Sequence, residues 1–432
     1  MNARRAASIV ACAVPLVVHA QGPADSLRLG NVRTLATAND PRTAQLELLA
    51  SQSALRLRNI NAEMLPALAI DGVAQYQSDV ARIDVNLPGL NLPAPKKDTY
   101  DAYAAVQQRI YDPSLRSRHS VERAQLAESQ ARVRTAIYSL NESANSAFFI
   151  ALRAQSQIAE LETTVTDLEA QLQVASSRVK AGTALASESN ALQAEILRRR
   201  QSVAQQRAAR KAALEVLSDV TGQAIDTSIA LATPDLGAAA IAARERAAML
   251  RQRPEYEQFA RTRDVLAATA RAHSAEEMPR LSAFGRLGYG RPGLNPLSNK
   301  FDTYWLAGVQ LQWTPWSWGT SNRNRQLARL QQQIVSTEEE AFTRQVQRSI
   351  EQDFANIERL ESALSEDEQI ITLRESILRE ARSRFRESVI TSAEFIDRQT
   401  DVLSARLTRA AHRAELSEAR AHLLTTLGME VR

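Results

Sequence analysis

One stretch of this chain occurs twice. Arg178–Leu197 reads RVKAGTALASESNALQAEIL, and Arg384–Leu403 reads RFRESVITSAEFIDRQTDVL, 206 residues later. Upstream of the first copy, Ile158, Leu161, Val165, Leu168, Leu172, Ala175 and Val179 recur at alternating spacings of three and four, the seam of a coiled coil. Upstream of the second, Leu364, Ile371, Leu378, Ala381 and Phe385 keep the same phase, with Asp367 and Arg374 at two apolar seam positions. Gly182 breaks the first run, and a new helical pattern begins near Ser187. Each copy therefore predicts the turn of a long helical hairpin.

The duplication extends through the chain. Arg253-Pro254 answers Asp40-Pro41, and Met278-Pro279 answers Leu65-Pro66, both at an offset of 213. Pro292-Gly293-Leu294-Asn295 answers Pro88-Gly89-Leu90-Asn91 at 204, ahead of the proline-rich Pro93-Ala94-Pro95, and Gly428 answers Gly222 at 206. Within the first half, Asn39 or Asp40 caps a helix that runs to about Glu63, and Met64-Leu65-Pro66 ends it. From Leu68 the period changes to two. Leu68, Ile70, Gly72, Ala74 and Tyr76 share one face, and Ala69, Asp71, Val73, Gln75 and Gln77 the other. A second strand is predicted over Tyr103–Tyr111, with a bulge or register shift where Gln108 interrupts the alternation. Asp112-Pro113-Ser114 then launches a helix predicted to run unbroken to Lys180, about 100 Å at 1.5 Å per residue. A return helix spans Ser187 to Val220, ending at Thr221-Gly222.

The second half repeats this order. Leu281, Ala283, Gly285, Leu287 and Tyr289 line one strand face, and Trp305, Ala307, Val309, Leu311 and Trp313 the next. The boundaries that follow are a first repeat at 21–222, a connector at 223–240 and a second repeat at 241–432. The fold class is mainly α with a small β part: duplicated helical hairpins plus four strands per chain. Four strands cannot close a barrel, since the smallest spanning barrels use about eight. Several chains must each contribute a panel.

The N-terminus reads as a secretory signal over residues 1–20, with Arg4 and Arg5 before an apolar run and Val18-His19-Ala20 as the cleavage site. Cutting instead before Cys12 would leave a very short apolar region. Cys12 is the one cysteine, so the mature chain has neither a disulfide framework nor a thiolate metal site. No run of about 18 apolar residues follows, so a membrane would be met by a β-barrel, an anchor or the surface. A net charge of +4 with balanced acids and bases argues against a nucleic-acid partner. His119, His273, His412 and His422 are scattered, with no pair at metal-ligand spacing, and no catalytic constellation or cofactor motif stands out. His119 and His273 read as exposed helix residues. Tyr76, Tyr103, Tyr111, Tyr289, Tyr304, Trp305, Trp313, Trp316 and Trp318 suit the interface girdles of a membrane barrel, or else the core of an aromatic-rich soluble sheet.

In their duplicated order, Leu65-Pro66, Tyr111-Asp112-Pro113-Ser114, Pro315-Trp316-Ser317-Trp318-Gly319 and Val179-Lys180-Ala181-Gly182-Thr183 resemble the TolC-type outer-membrane efflux protein family. That resemblance implies a homotrimer in the outer membrane. Its twelve strands would form one barrel, and its helices would continue as a hollow α-barrel through the periplasm. It implies a passive exit duct for efflux or type I secretion, not an enzyme, with a periplasmic adaptor and an inner-membrane pump as partners. Gly182, Thr183, Ala184 and Leu185, with Ser388, Val389, Ile390 and Thr391, occupy the turns where the family docks its adaptor. Glu394 and Asp397 match the acids that ring the periplasmic aperture; they also fit a first helical turn stabilised by the dipole. Ile390 stands where a basic latch residue occurs in the family, so that contact is not carried over. A periplasmic coiled-coil scaffold or adaptor is the alternative, and the paired strands weigh against it.

Overall fold

The computed structural model describes residues 26–80, 96–246, 252–295 and 298–429. The signal-like segment 1–20, with Cys12, and the loop Pro88–Pro95 lie outside the described residues. Among the described residues one sheet of four antiparallel strands crowns a body of long helices, in the order β1-β2-β3-β4. The strands are β1 (Ala67–Tyr76), β2 (Asp98–Tyr111), β3 (Arg280–Arg291) and β4 (Asp302–Gln312). The helices are α1 (Leu29–Asn39), α2 (Thr43–Ala62), α3 (Ser114–Tyr138), α4 (Leu140–Lys180), α5 (Ala186–Thr221), α6 (Gly237–Arg246), α7 (Pro254–Ala275), α8 (Thr320–Arg386) and α9 (Ser392–Thr426).

Two hairpins, α4–α5 and α8–α9, make the body, with α4 packed against α9. Helix α8 runs unbroken for 67 residues. Its counterpart differs from the sequence expectation: the run from Ser114 to Lys180 is divided at Ser139, whose hydroxyl donates to the Ala136 carbonyl at 2.8 Å. A side-chain hydroxyl that competes for a backbone acceptor loosens a helix locally. The expected cap at Asn39 or Asp40 is also corrected. Helix α2 starts at Thr43 without a side-chain cap, and Asp40 instead accepts from the Arg42 amide and guanidinium at 2.7 and 2.8 Å. The short helices α1 and α6 carried no periodic signal long enough to predict. Leu29, Val32 and Ala36 form the buried face of α1, and the Leu27 segment adds a parallel bridge to Leu231 in the linker between the repeats.

The core is not continuous. A large cluster at mid-body gathers Phe148, Phe149, Leu152, Leu214, Leu360 and Leu424. A separate cluster near the hairpin ends gathers Leu168, Leu192, Ile196, Phe385 and Phe395, the two rings stacked at 5.1 Å. The two polar seam residues are matched by partners on α9. Buried Asp367 meets His412 Nδ1 at 2.7 Å, and Arg374 donates to the Asp401 carbonyl at 2.7 Å. A polar group at a seam is tolerated when its hydrogen bonds are made.

Candidate functional site

The sheet has two unlike faces, fixed by its register. Leu68 pairs with Val106, Val106 with Gly285 and Gly285 with Ala307, so these side chains share one face. Along the strands that face carries Leu68, Ile70, Tyr76, Ala104, Leu287, Tyr289, Trp305, Val309 and Leu311. It stands away from the helices, with Ile70 82%, Trp305 74% and Leu311 65% exposed. Eight residue steps from Leu68 to Tyr76 span about 27 Å before tilt. Trp313 continues this face just past β4, its indole nitrogen donating to the Glu277 carbonyl at 3.2 Å.

The opposite face is polar. It carries Asp71, Gln75, Asp101, Arg109, Arg286, Gln310 and Gln312 by the same register. At its centre Asp101 accepts from the Tyr304 hydroxyl at 2.6 Å and from Arg286 at 2.6 Å, while the Arg286 guanidinium lies 3.2 Å from the centre of the Tyr103 ring. Tyr304 reaches Asp101 two strands away because Gly288 lies between them; a Cβ there would stand 2.4 Å from the tyrosine ring. The register divides the expected aromatic set between the two faces. Tyr103 and Tyr304 lie on the polar face, opposite Tyr76, Tyr289, Trp305 and Trp313. The same alternation that placed Trp305 outward could have placed Tyr304 inward. Strand β2 is also longer than expected, starting at Asp98, and its register to β3 shifts between Arg109 and Tyr111.

At the far end of the body the hairpin turns lie side by side. In the first, Gly182 adopts φ 73°, with Gly182 N–H donating to the Val179 carbonyl and Thr183 N–H to the Arg178 carbonyl. In the second, Ser388 adopts φ 61°, with Ser388 N–H donating to Phe385 and Val389 N–H to Arg384. Both are Schellman turns. Leu185 and Val389 project from the turns, 72% and 65% exposed. Helix α9 then opens on a capping box: Glu394 N–H donates to the Thr391 hydroxyl at 3.3 Å, and Thr391 N–H to the Glu394 carboxylate at 3.4 Å. Asp397, one turn on, is exposed. A contact invisible in the sequence ties the turns together. The Arg178 guanidinium donates to the Phe385 carbonyl at 3.0 Å, to the Ser388 hydroxyl at 3.3 Å and to the Arg386 carbonyl.

Sequence reasoning also missed a cluster in the body. His422 on α9 bridges Asp353 of α8 at 2.9 Å and Glu142 of α4 at 3.3 Å. Hydrogen bonds to Asp353 and then Glu142 push its pKa up to about 10, so it is a cation at neutral pH. No group of His, Cys, Asp and Glu among the described residues could hold a metal ion, and no helix among them is long and apolar enough to cross a membrane.

No protein-family model matches the sequence, and no curated protein matches it. The fold does have solved counterparts. A structure of CusC, from work on folding and transmembrane channel formation, superposes with a TM-score of 0.68 at 15% identity, covering 93% of this chain and 92% of that one. The outer membrane protein VceC of Vibrio cholerae gives 0.65 at 14%, covering 94% and 97%. The open-state MtrE outer membrane channel of Neisseria gonorrhoeae gives 0.65 at 17%, covering 94% and 90%. The fold is thus shared along nearly the whole length of each.

Proposed function

We propose that this chain, which has the fold of the TolC-type outer-membrane efflux proteins, is the exit duct of an efflux or type I secretion system. Three copies would join β4 of one to β1 of the next, giving twelve strands in one outer-membrane barrel. The observation that carries this reading is the sidedness of the sheet. An exposed apolar face on every strand suits lipid, and the charged opposite face suits a water-filled lumen. Both edges of an isolated four-stranded sheet leave backbone groups unpaired, and barrel closure removes them. Tyr76, Tyr289, Trp305 and Trp313 would lie on the lipid side as interface aromatics.

The helical body would extend through the periplasm as a hollow barrel. The turns at Gly182–Leu185 and Ser388–Thr391 would meet a periplasmic adaptor, itself joined to an inner-membrane pump. Exposed Leu185 and Val389 give those turns an apolar contact surface. Glu394 and Asp397 would form acidic rings at the aperture, favouring cations. The duct is passive, with energy supplied by the pump. Heat-modifiable trimers extracted from outer membranes with detergent, conducting in planar bilayers, are the expected result; a chain soluble without detergent would overturn the reading. Replacing Glu394 and Asp397 with Ala is expected to lower cation selectivity, and unchanged selectivity would remove the rings.

A further inference from the structure

The apolar face of the sheet ends at the last residues of β2, where the chain turns into α3. A groove of about 610 Å³ opens there. Met64, Ile110 and Tyr111 form its apolar wall, continuous with the apolar face, and Arg116, His119 and Arg123 form its other wall. The three basic residues stand at i, i+3 and i+7, one stripe of the helix. Arg116 and Arg123 are exposed, and His119 is half-buried.

Local carboxylates are already engaged by other groups. Glu63 takes both Arg118, at 2.5 and 2.6 Å, and Arg109 at 2.5 Å. Asp112, inside the groove, accepts from the Ser114 amide and hydroxyl at 3.0 and 2.6 Å and faces Arg109 and Arg280. Neither Arg116 nor Arg123 has a carboxylate within ion-pair distance among the described residues. The second repeat follows suit. Helix α8 leaves the sheet with Arg323, Arg325 and Arg329; Arg323 donates to the Trp318 carbonyl at 2.9 Å and the Thr320 hydroxyl at 3.2 Å, and Arg325 to the Ser274 hydroxyl at 3.4 Å. Neither α3 nor α8 has an acid in its first turn, whereas α5 and α9, which start at the tips, open with Glu188 and Glu394.

We propose that the groove binds the phosphate headgroup of an anionic glycerophospholipid of the inner leaflet, with an acyl chain lying along Ile110 and Tyr111. The inference rests on the outer-membrane reading above. Apolar wall and cationic wall meet where such a lipid changes from hydrocarbon to phosphate, and basic pockets at that depth take acidic headgroups.

The test compares the detergent-purified full chain with its Arg116→Gln/Arg123→Gln and Arg116→Lys/Arg123→Lys variants. Each is incubated with mixed micelles of phosphatidylglycerol and phosphatidylcholine, and retained lipid is measured by native mass spectrometry. Selective retention of phosphatidylglycerol is expected, falling on the order of tenfold in the Gln variant and persisting in the Lys variant. Equal retention of both lipids, or no loss in the Gln variant, would overturn the proposal. So would displacement of the lipid by inorganic phosphate at equal concentration, which would make the groove a free-anion site. Heat-modifiable trimer in every variant keeps the two readings apart: with it, a negative lipid result rejects the groove alone, and a detergent-free soluble chain rejects both.

Discussion

The two hairpin turns solve one problem with different chemistry. Each must reverse a long helix through a residue in left-handed backbone. The first uses Gly182, for which φ 73° costs nothing sterically. The second uses Ser388 at φ 61°, a conformation that costs an L-residue roughly 1–2 kcal/mol. Exit from the turns is reversed in quality. Helix α5 starts at Ala186, after Leu185, without a side-chain cap, while α9 starts with the Thr391–Glu394 capping box. The strained turn is thus followed by the better-anchored helix, and Arg178 from the relaxed turn supplies the donors for the strained one. Each turn is closed by its own backbone hydrogen bonds, and the second receives the Arg178 donors in addition.

The comparison can be broken at several points. Arg178→Ala is expected to have the largest effect, raising amide exchange across residues 384–390 by about 2 kcal/mol of local opening, since charged donors to two carbonyls are lost. Exchange at 179–183 should stay unchanged, because the Arg178 guanidinium donates to Phe385, Arg386 and Ser388 and to no group of its own turn among the described residues; equal loosening of both turns would end the claim of one-way bracing. Gly182→Ala comes next, at about 1 kcal/mol, and should loosen the first turn. Thr391→Ala should cost a similar ~1 kcal/mol at the start of α9, read as lost protection of the Glu394 amide, while Leu185→Ala leaves α5 unaffected at that level. Ser388→Gly should be slightly stabilising, by ~0.5 kcal/mol, and would then make the two turns alike.

The smallest expected effect on either turn comes from His422→Gln, which acts in the body. Because Asp353 and Glu142 raise the folded-state pKa to about 10 from 6.5, the stabilisation from charged His422 is complete below 6.5 and lost as pH rises through about 10. Denaturant melts should therefore show wild type above the variant at neutral pH and the gap closing above pH 10. A gap independent of pH would assign the loss to packing instead of charge.

Much of the architecture could be read in the chain before any coordinates. Glycine at 182, 222 and 428, proline at 66 and 279 and period-two alternation from Leu68 each report a local backbone requirement, and local requirements leave local marks. Helices α1 and α6 left none, because both are short and held by contacts made far along the chain. The Thr391–Glu394 hydrogen bonds give Glu394 a capping role at the start of α9, and the sequence offered that first-turn reading beside the proposed ring.

What the sequence determined by itself is the repeated order of helix and strand, the positions of the turns and the alternation that separates apolar from polar on each strand. These follow from bond geometry over a few residues. Only the tertiary structure decided that Tyr304 reaches Asp101 across Gly288, that Arg178 braces residues more than 200 positions away, and that His422 joins three helices. Each depends on register and packing between distant segments, where a shift of one residue moves every side chain to another face.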